Sequence, residues 1–310
     1  MVDPDGEHPA RIEFDEPLSD PAELQPLMMQ LVGKARRVSG EDGTTSIERE
    51  VTELTGTRTF LTRVLAVSDV HPHLRMVTLG GVDLVTFSPL GPDTFLYVLL
   101  PPPSRTDLTI DQSFAWSQVP DMAEDERPVG AYYTLRAWRP DRCEVDILMV
   151  LHGDTGPASA WAARAQPGDP VALWGPRTAY EPPAATDSML LIADETGLPA
   201  LANILALVPD DMPVVAVVEV DGPDRLELRP TPATTIHWLN RRGAPAGTTT
   251  LIADLVRTLD LPGERTYVWG GGESRALTAV RRHVRDQLGR PRDAVSLVAY
   301  WRHATSPADD

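Results

Sequence analysis

The chain has 310 residues, a net charge of −17 at pH 7 and one cysteine, Cys143. Its length is sufficient for two domains, and its strong negative charge argues against nucleic acids and anionic membrane surfaces as partners. A single cysteine excludes an intrachain disulfide and any four-cysteine zinc or iron–sulfur site, so redox chemistry would require an organic cofactor. His71 and His73 could suggest a metal site, but no complete set of ligands is evident and a surface turn is the favoured interpretation, so no metal is expected.

The first 57 residues form an acidic extension that contains several prolines. Within it, apolar side chains recur at helical spacing between Pro21 and Val38, which predicts one amphipathic helix. A helix that packs on its own barrel is the favoured interpretation, and a helix that binds a partner is the alternative.

The beginning of the chain lacks both the basic and the apolar parts of a signal peptide. No apolar run in the sequence reaches the roughly 18 residues that a membrane span requires. We therefore expect a cytoplasmic protein without an integral membrane segment.

Residues 58–178 contain many short predicted strands, separated by turns rich in glycine and proline at 80–81, 89–92 and 101–103. This pattern is typical of an antiparallel β-barrel. Residues 179–187, which are rich in alanine and proline, are predicted to be the linker to a second domain.

Two strands of the predicted barrel carry the most informative side chains. They lie at 131–136 and 145–151, and we expect them to pair. The first contains an aromatic ring, Tyr133, next to a hydroxyl group, Thr134. A ring and a hydroxyl near a phosphate-binding turn would suit a flat heterocycle joined to a pyrophosphate, and FAD has that shape.

The second of these strands ends at His152 and Gly153, where the sequence becomes rich in small and polar residues. Pro157 then occupies a position typical of a first helical residue. A helix that begins over residues 156–159 directs free backbone N–H groups and the positive end of its dipole outward, as phosphate-binding helices do. From this segment alone, an ordinary strand, turn and helix without a ligand is at least as good an interpretation.

Strands and helices alternate over residues 188–304, before a short tail at 305–310. This alternation predicts a doubly wound parallel sheet, that is, a Rossmann-like α/β domain. The predicted strands are 189–193, 214–220, 234–239, 267–269 and 295–300, and the predicted helices are 198–207, 249–259 and 274–288.

Two segments lie where strands of this sheet are predicted to end. Asp194, Glu195 and Thr196 follow one strand, and the glycines at 270–272 with Glu273 are expected to terminate another. The carboxyl ends of parallel strands meet at one edge of a sheet, where nucleotides bind. The glycines do not form the G-x-G-x-x-G pattern, so by themselves they are weak evidence for a dinucleotide site.

Five short sequence strings follow one another within roughly residues 58–304. Their order resembles that of the siderophore-interacting protein family, which comprises FAD-dependent NAD(P)H ferric-siderophore reductases. Each string alone is weak, but five in the same order are specific. The strings are Tyr133-Thr134-x-Arg136, Leu151-His152-Gly153 with Gly156-Pro157-Ala158-Ser159, Asp194-Glu195-Thr196-x-Leu198-Pro199, Trp269 with Gly272-Glu273, and Tyr300-Trp301-Arg302.

The resemblance implies an N-terminal antiparallel FAD-binding β-barrel followed by a Rossmann-like NAD(P)-binding α/β domain, as in ferredoxin reductases. It implies FAD and either NADPH or NADH as cofactors, and a ferric siderophore as the substrate from which iron(II) is released. Thr134 would act beside flavin N5, and Trp301 would lie near the flavin. The residues implied in cofactor binding are Tyr133, Thr134, Arg136, His152, Gly153, Gly156, Ala158, Ser159, Asp194, Thr196, Gly271, Gly272, Glu273 and Trp301.

The sequence departs from the family pattern at positions near the expected flavin. Ala131 occupies the position of an arginine that contacts the FAD pyrophosphate, and Thr178 replaces a common glycine. We expect the first change to weaken FAD binding by about 1.5–3 kcal/mol unless another cation compensates. The candidates for compensation are the nearby arginines Arg136, Arg139 and Arg177.

Two other functions are consistent with the sequence. One is a flavin reductase or a ferredoxin-reductase-like electron carrier, whose acceptor is a small molecule or a protein. The other is a flavin-free siderophore-binding protein of the same fold, which the departures at Ala131 and Thr178 would allow.

The net charge bears on the class of siderophore. A chain with a charge of −17 favours neutral or cationic ferric hydroxamates over a trianionic ferric catecholate. Arg241 and Arg242 are interpreted as solvated charges by default. Local arginines such as Arg241, Arg242 and Arg302 could reverse the preference within about 8–10 Å. The sequence distinguishes neither NADH from NADPH nor one oligomeric state from another.

Overall fold

The computed structural model describes residues 56–152, 156–222 and 226–303, which belong to one unit that begins at Gly56. The amphipathic helix predicted between Pro21 and Val38 lies outside the described residues, as do Gly153 and the tail at 305–310. The described part of the chain forms a barrel followed by an α/β sheet domain.

The barrel contains strands β1 (Arg58–His71), β2 (Leu74–Gly80), β3 (Phe95–Leu100), β4 (Val129–Arg139), β5 (Glu144–Val150) and β6 (Pro170–Arg177). They close in the order β1-β2-β5-β4-β3-β6, and each neighbouring pair is antiparallel. As predicted, β4 pairs with β5, with Leu135 opposite Ile147. The antiparallel barrel expected from the sequence is therefore confirmed.

Apolar side chains that alternate along the strands fill the inside of the barrel. Val145, Ile147 and Met149 of β5 are at most 1% exposed and belong to this core. Helix α1 (Pro157–Arg164) packs Trp161 against the same core. The barrel core therefore fixes the position of α1 relative to β4 and β5.

The α/β domain contains strands β7 (Ser188–Ala193), β8 (Val214–Val220), β9 (Thr234–Asn240), β10 (Thr266–Glu273) and β11 (Val295–Trp301), with helices α2 (Leu198–Leu205), α3 (Leu251–Thr258) and α4 (Ser274–Arg282). The strands are parallel, in the order β11-β10-β7-β8-β9. Helix α2 packs on one face of the sheet, and α3 and α4 pack on the other. This confirms the predicted doubly wound arrangement.

Helix α2 packs against both the sheet and the barrel. Leu198 and Leu201 of α2 are fully buried, in a core that also contains Leu74 of β2 and Leu148 of β5. Strand β5 therefore buries side chains on both of its faces. This explains why residues 145–151 form an almost continuous apolar run rather than a strict alternation.

The prediction that glycines end the strand at 267–269 is wrong. Strand β10 continues through residues 270–272 to Glu273 and remains paired with β11 over this length. The neighbouring strands need the space that glycine leaves, because a Cβ at Gly270 would lie 2.7 Å from the side chain of Leu297. These glycines therefore serve close packing rather than a turn.

Candidate functional site

The carboxyl ends of β7, β10 and β11 lie at one edge of the sheet, as their parallel order requires. Asp194 follows β7, while Glu273 and Trp301 are the last residues of β10 and β11. The barrel faces this edge through β4, because the side chain of Thr134 lies beside the hydroxyl of Tyr300. The candidate site is the region where β4 approaches this edge of the sheet.

The Thr134 hydroxyl is buried, and no described residue forms a hydrogen bond of ordinary geometry with it. The Tyr300 hydroxyl lies beside it without that geometry. Burial raises the pKa of Tyr300 far above its ordinary value, and the Thr134 hydroxyl offsets part of the rise, so Tyr300 is neutral at physiological pH. A buried hydroxyl without a partner costs free energy, so Thr134 Oγ1 would gain from a ligand.

Tyr133 stands beside Thr134 on the opposite face of β4. Tyr133 and Ala131 both pack against the barrel core, and the ring of Tyr133 is half-buried. Burial raises the pKa of Tyr133 to about 12, so its phenol is neutral at physiological pH. The strand thus presents a neutral aromatic ring and a hydroxyl at successive positions.

Helix α1 begins where the sequence predicted. Gly156 is its N-cap residue, Pro157 is its first residue, and no side chain caps its N-terminus. The Ser159 hydroxyl, 1% exposed, accepts a hydrogen bond from the backbone N–H of His152 at 3.0 Å. This bond holds the helix start beside the end of β5, with Ala158 buried next to it.

All three arginines expected to compensate for the missing arginine have partners among the described residues. Arg136 donates from Nη1 to Oδ1 of Asn203 at 2.9 Å, and burial lowers its pKa. Arg139 binds Asp146 through two N–H groups, at 2.6 and 2.7 Å. Arg136 therefore lies at the contact with α2, and Arg177, at the end of β6, donates to the hydroxyl of Tyr132 at 3.4 Å.

The carboxylate of Asp194 organises the sheet edge. Its Oδ1 accepts hydrogen bonds from the N–H and the hydroxyl of Thr196, at 2.8 and 2.5 Å. Its Oδ2 accepts from the N–H of Glu273 at 2.9 Å and from the indole N–H of Trp301 at 2.8 Å. Burial raises the pKa of Asp194, and the bonds from Thr196 and Trp301 act in the opposite direction. A Cβ at Gly272 would lie 2.9 Å from Oδ2, so five residues implied by the resemblance meet at this carboxylate.

Tyr300 links the two halves of the candidate site. Its ring lies directly on the backbone of Gly271, where a Cβ would be 2.7 Å from the ring, and its hydroxyl lies beside Thr134. The sequence reasoning placed Tyr300 in the Tyr-Trp-Arg string but did not assign it to the site. Its place near the end of a parallel strand was the available signal.

Arg241 forms a buried ion-pair network at the same edge of the sheet. Its terminal nitrogens bind Glu195 at 2.6 and 2.9 Å, and Glu219 lies 3.8 Å from Nη1. The side chains of Arg241 and Glu219 are each 7% exposed. The interpretation of Arg241 as a solvated charge that could attract an anionic substrate is therefore wrong, because two carboxylates neutralise it.

Asp93, between β2 and β3, joins the barrel to the sheet domain. Its carboxylate is 1% exposed and accepts a hydrogen bond from the indole N–H of Trp269 at 3.1 Å. The hydroxyl of Thr178 donates to the same carboxylate at 2.6 Å. Thr178, which replaces a common glycine of the family, thus has a structural role at the domain junction.

Within residues 56–152, 156–222 and 226–303, no group of three His, Cys, Asp or Glu side chains is arranged to hold a metal ion. In the same residues, no helix has both the length and the apolar character needed to cross a membrane.

Two family models match successive parts of the chain. The Siderophore-interacting FAD-binding domain matches residues 63–180, and the Siderophore-interacting protein model matches residues 186–304. The uncharacterized protein Rv2895c of Mycobacterium tuberculosis is 34% identical over 261 residues, or 77% of this chain and 88% of that protein. The ferric vibriobactin reductase ViuB of Vibrio cholerae is 27% identical over 242 residues, or 75% of this chain and 85% of the reductase.

Solved structures agree with these matches. A siderophore utilization protein from T. fusca has a TM-score of 0.68 and 31% identity, covering 82% of this chain and 96% of its own. A ferredoxin reductase of carbazole 1,9a-dioxygenase has a TM-score of 0.57 and 17% identity, over 79% of this chain and 70% of its own, which shows a shared fold. Both the resemblance and the ferredoxin-reductase-like fold expected from it are confirmed, and the chain belongs to the siderophore-interacting protein family.

Proposed function

We propose that this protein transfers electrons from NAD(P)H through FAD to ferric iron held by a siderophore, and so releases iron(II). The observation that carries the proposal is the buried Thr134 hydroxyl, which lacks a hydrogen-bond partner among the described residues and faces the carboxyl edge of the sheet. The relative named as a ferric vibriobactin reductase supports the same class of reaction.

The side chains near Thr134 fit FAD. The Thr134 hydroxyl would bind the polar edge of the flavin ring at N5, and the half-buried ring of Tyr133 would contact the flavin. The N–H groups at the start of α1, which no side chain caps, would bind the pyrophosphate. Because Tyr133 remains neutral, it brings no negative charge to the ring.

Bound FAD supplies hydride acceptance and single-electron transfer, which no side chain of the protein can supply. The protein contributes positioning. Asp194 holds the ends of β10 and β11 together through Glu273 and Trp301, and Tyr300 shields the backbone of Gly271 from water. No acid–base side chain is required, and iron(II), which is softer than iron(III), binds hard oxygen ligands less tightly.

We place the nicotinamide at the glycine-lined end of β10, near Thr196 and residues 271–273. Leucine at Gly271 should raise the apparent KM for NAD(P)H by about tenfold and leave the flavin content unchanged, because its side chain would displace the Tyr300 ring into the cleft. Steady-state kinetics and the flavin absorbance per protein measure the two effects. Leucine at Gly56, where a Cβ meets no atom within 4 Å, is the control. Loss of flavin from the Gly271→Leu variant would contradict this placement.

We further propose ferric hydroxamates, or chelates of mixed ligands, as the preferred substrates. The chain carries a charge of −17, and the two carboxylates beside Arg241 neutralise one of the cations that could have reversed the preference. We expect a higher kcat/KM for a ferric hydroxamate than for a ferric catecholate at low salt, measured with a ferrous-iron trap. A preference for the catecholate that weakens with added salt would show that a local basic surface governs selection instead.

The function is tested by the absorption spectrum of the purified protein, recorded with and without added FAD, followed by anaerobic addition of NADH or NADPH. We expect a bound-flavin spectrum that bleaches with at least one nucleotide, and turnover of a ferric hydroxamate. Turnover of free flavin or a protein acceptor, without turnover of the chelate, would favour the flavin reductase or electron-carrier alternative. Absence of any flavin spectrum at saturating FAD would favour the flavin-free binding protein.

A further inference from the structure

We propose that Asn203 is a positioning residue that sets the geometry between the flavin side and the nucleotide side of the proposed site. The inference rests on the proposed function and adds a residue that none of the family strings contains. Its amide nitrogen donates to the carbonyl oxygens of Leu135 at 2.8 Å and Pro92 at 3.0 Å. Its Oδ1 accepts from Arg136 at 2.9 Å, so all three partners belong to the barrel.

One end of this connection is the backbone next to Thr134. The N–H of Leu135 donates to the carbonyl of Thr94 at 2.7 Å, while its carbonyl accepts from Asn203. Both backbone polar groups of the residue that follows Thr134 are therefore fixed. A change at Asn203 would act on the orientation of the Thr134 hydroxyl without touching that side chain.

The other end of the connection is the turn at Asp194. Helix α2 starts at Leu198, and the N–H groups of Gly197 and Leu198 both donate to the carbonyl of Asp194 at 3.1 Å. Asn203 follows Leu198 by five residues, about 7.5 Å along a helix. A single short helix thus links the carboxylate that organises the sheet edge to the barrel strand that carries Thr134.

The chemistry of asparagine suits this position. Both N–H bonds of the amide are used, and its oxygen is used as well. Aspartate could not donate to two carbonyl groups. Leucine, which is of similar size, would leave the carbonyls of Leu135 and Pro92 and the guanidinium of Arg136 without this partner. The helix itself is held by buried side chains such as Leu201 and Ile204, so it cannot readily shift to compensate.

The contact between Asp93 and Trp269 is a second connection between the domains, and it does not involve the side chain of Asn203. We therefore expect such a variant to fold and to bind FAD, but with the barrel displaced slightly against the sheet. Hydride transfer is sensitive to displacements of this kind, and a misplacement of about 1 Å can cost roughly a hundredfold in rate.

The test is anaerobic stopped-flow reduction of the FAD-loaded protein by NADH and by NADPH. Two variants address the role: Asn203→Leu removes the three hydrogen bonds, and Asn203→Gln keeps the amide but moves it by one methylene group. In both, the limiting rate constant of flavin reduction should fall by about tenfold to a hundredfold, with the apparent Kd for the nucleotide and the Kd for FAD changed less than about threefold. Deuterated nucleotide should give a primary isotope effect on this rate constant in both variants, because hydride transfer limits the slower reduction.

The control is Gln118→Ala, which removes an amide that donates to a carbonyl within the barrel domain, that of Ser113. It should reduce flavin at the wild-type rate. Wild-type reduction rates in both Asn203 variants, or losses explained entirely by weaker FAD binding, would overturn the role of Asn203 alone. If neither nucleotide reduces the wild-type flavin, the proposed function and this inference both fail.

Discussion

Replacing Arg241 by methionine should lower the free energy of unfolding by about 3–5 kcal/mol, because it leaves buried carboxylates without their counter-ion. Glu195 is bound to Arg241 at 2.6 Å, and Glu219 lies 3.8 Å away, with side chains that are 10% and 7% exposed. Denaturant unfolding at a fixed FAD concentration measures the loss.

The loss should depend on pH in a defined direction. Burial raises the pKa of Glu219, and Arg241 opposes that rise. Without Arg241 the folded-state pKa is higher still. A carboxyl group whose pKa is higher in the folded than in the unfolded state costs stability above the folded pKa and costs nothing below the unfolded value of about 4.3. The Arg241→Met variant should therefore lose more stability at pH 8 than at pH 5.5.

The matched control is Arg257→Met. Arg257 pairs with Asp254 at 2.9 Å, with side chains that are 48% and 61% exposed. Exposed pairs of this kind contribute about 0–1 kcal/mol. If Arg241→Met costs no more than Arg257→Met, the network at Arg241 does not hold the sheet edge as we describe.

Restoring arginine at position 131 should tighten FAD binding by about 10-fold to 150-fold, because a charge-assisted contact to phosphate is worth about 1.5–3 kcal/mol. Ala131 and Tyr133 both pack against the barrel core, so the new side chain starts from the face of β4 that carries the ring. FAD titration followed by flavin fluorescence measures the change in Kd.

The Ala131→Met variant separates charge from size, since methionine adds length without a positive charge. It should bind FAD no more than about threefold more tightly than the wild type. Equal affinities for the arginine and methionine variants would show that this strand does not approach the pyrophosphate.

The sequence predicts those parts of the fold and of the candidate site that depend on local patterns of residues. The apolar run of residues 145–151 predicts strand β5, and Pro157 predicts the start of helix α1. The residues implied at the sheet edge came together at Asp194 because parallel strands end at the same edge, which follows from their order alone.

The sequence does not predict side-chain contacts between residues that are distant along the chain. Asn203 bonds to residues 68 and 111 positions away, and Asp93 and Trp269 are 176 positions apart. The sequence does not show that Arg241 is an ion-pair partner of Glu195, because the two residues are 46 positions apart. The prediction that the glycines of β10 end the strand is wrong for a related reason. The side chains that require glycine there belong to a neighbouring strand.

The most direct test of the central claim is a single-turnover experiment. Protein loaded with FAD is reduced anaerobically with the nucleotide that bleaches its flavin, and is then mixed with excess ferric hydroxamate in the presence of a ferrous-iron trap. We predict that the flavin absorbance returns and that about two iron(II) ions appear per flavin, since reduced flavin carries two electrons. A flavin that stays reduced in the presence of ferric siderophores but is reoxidised by free flavin would contradict the account.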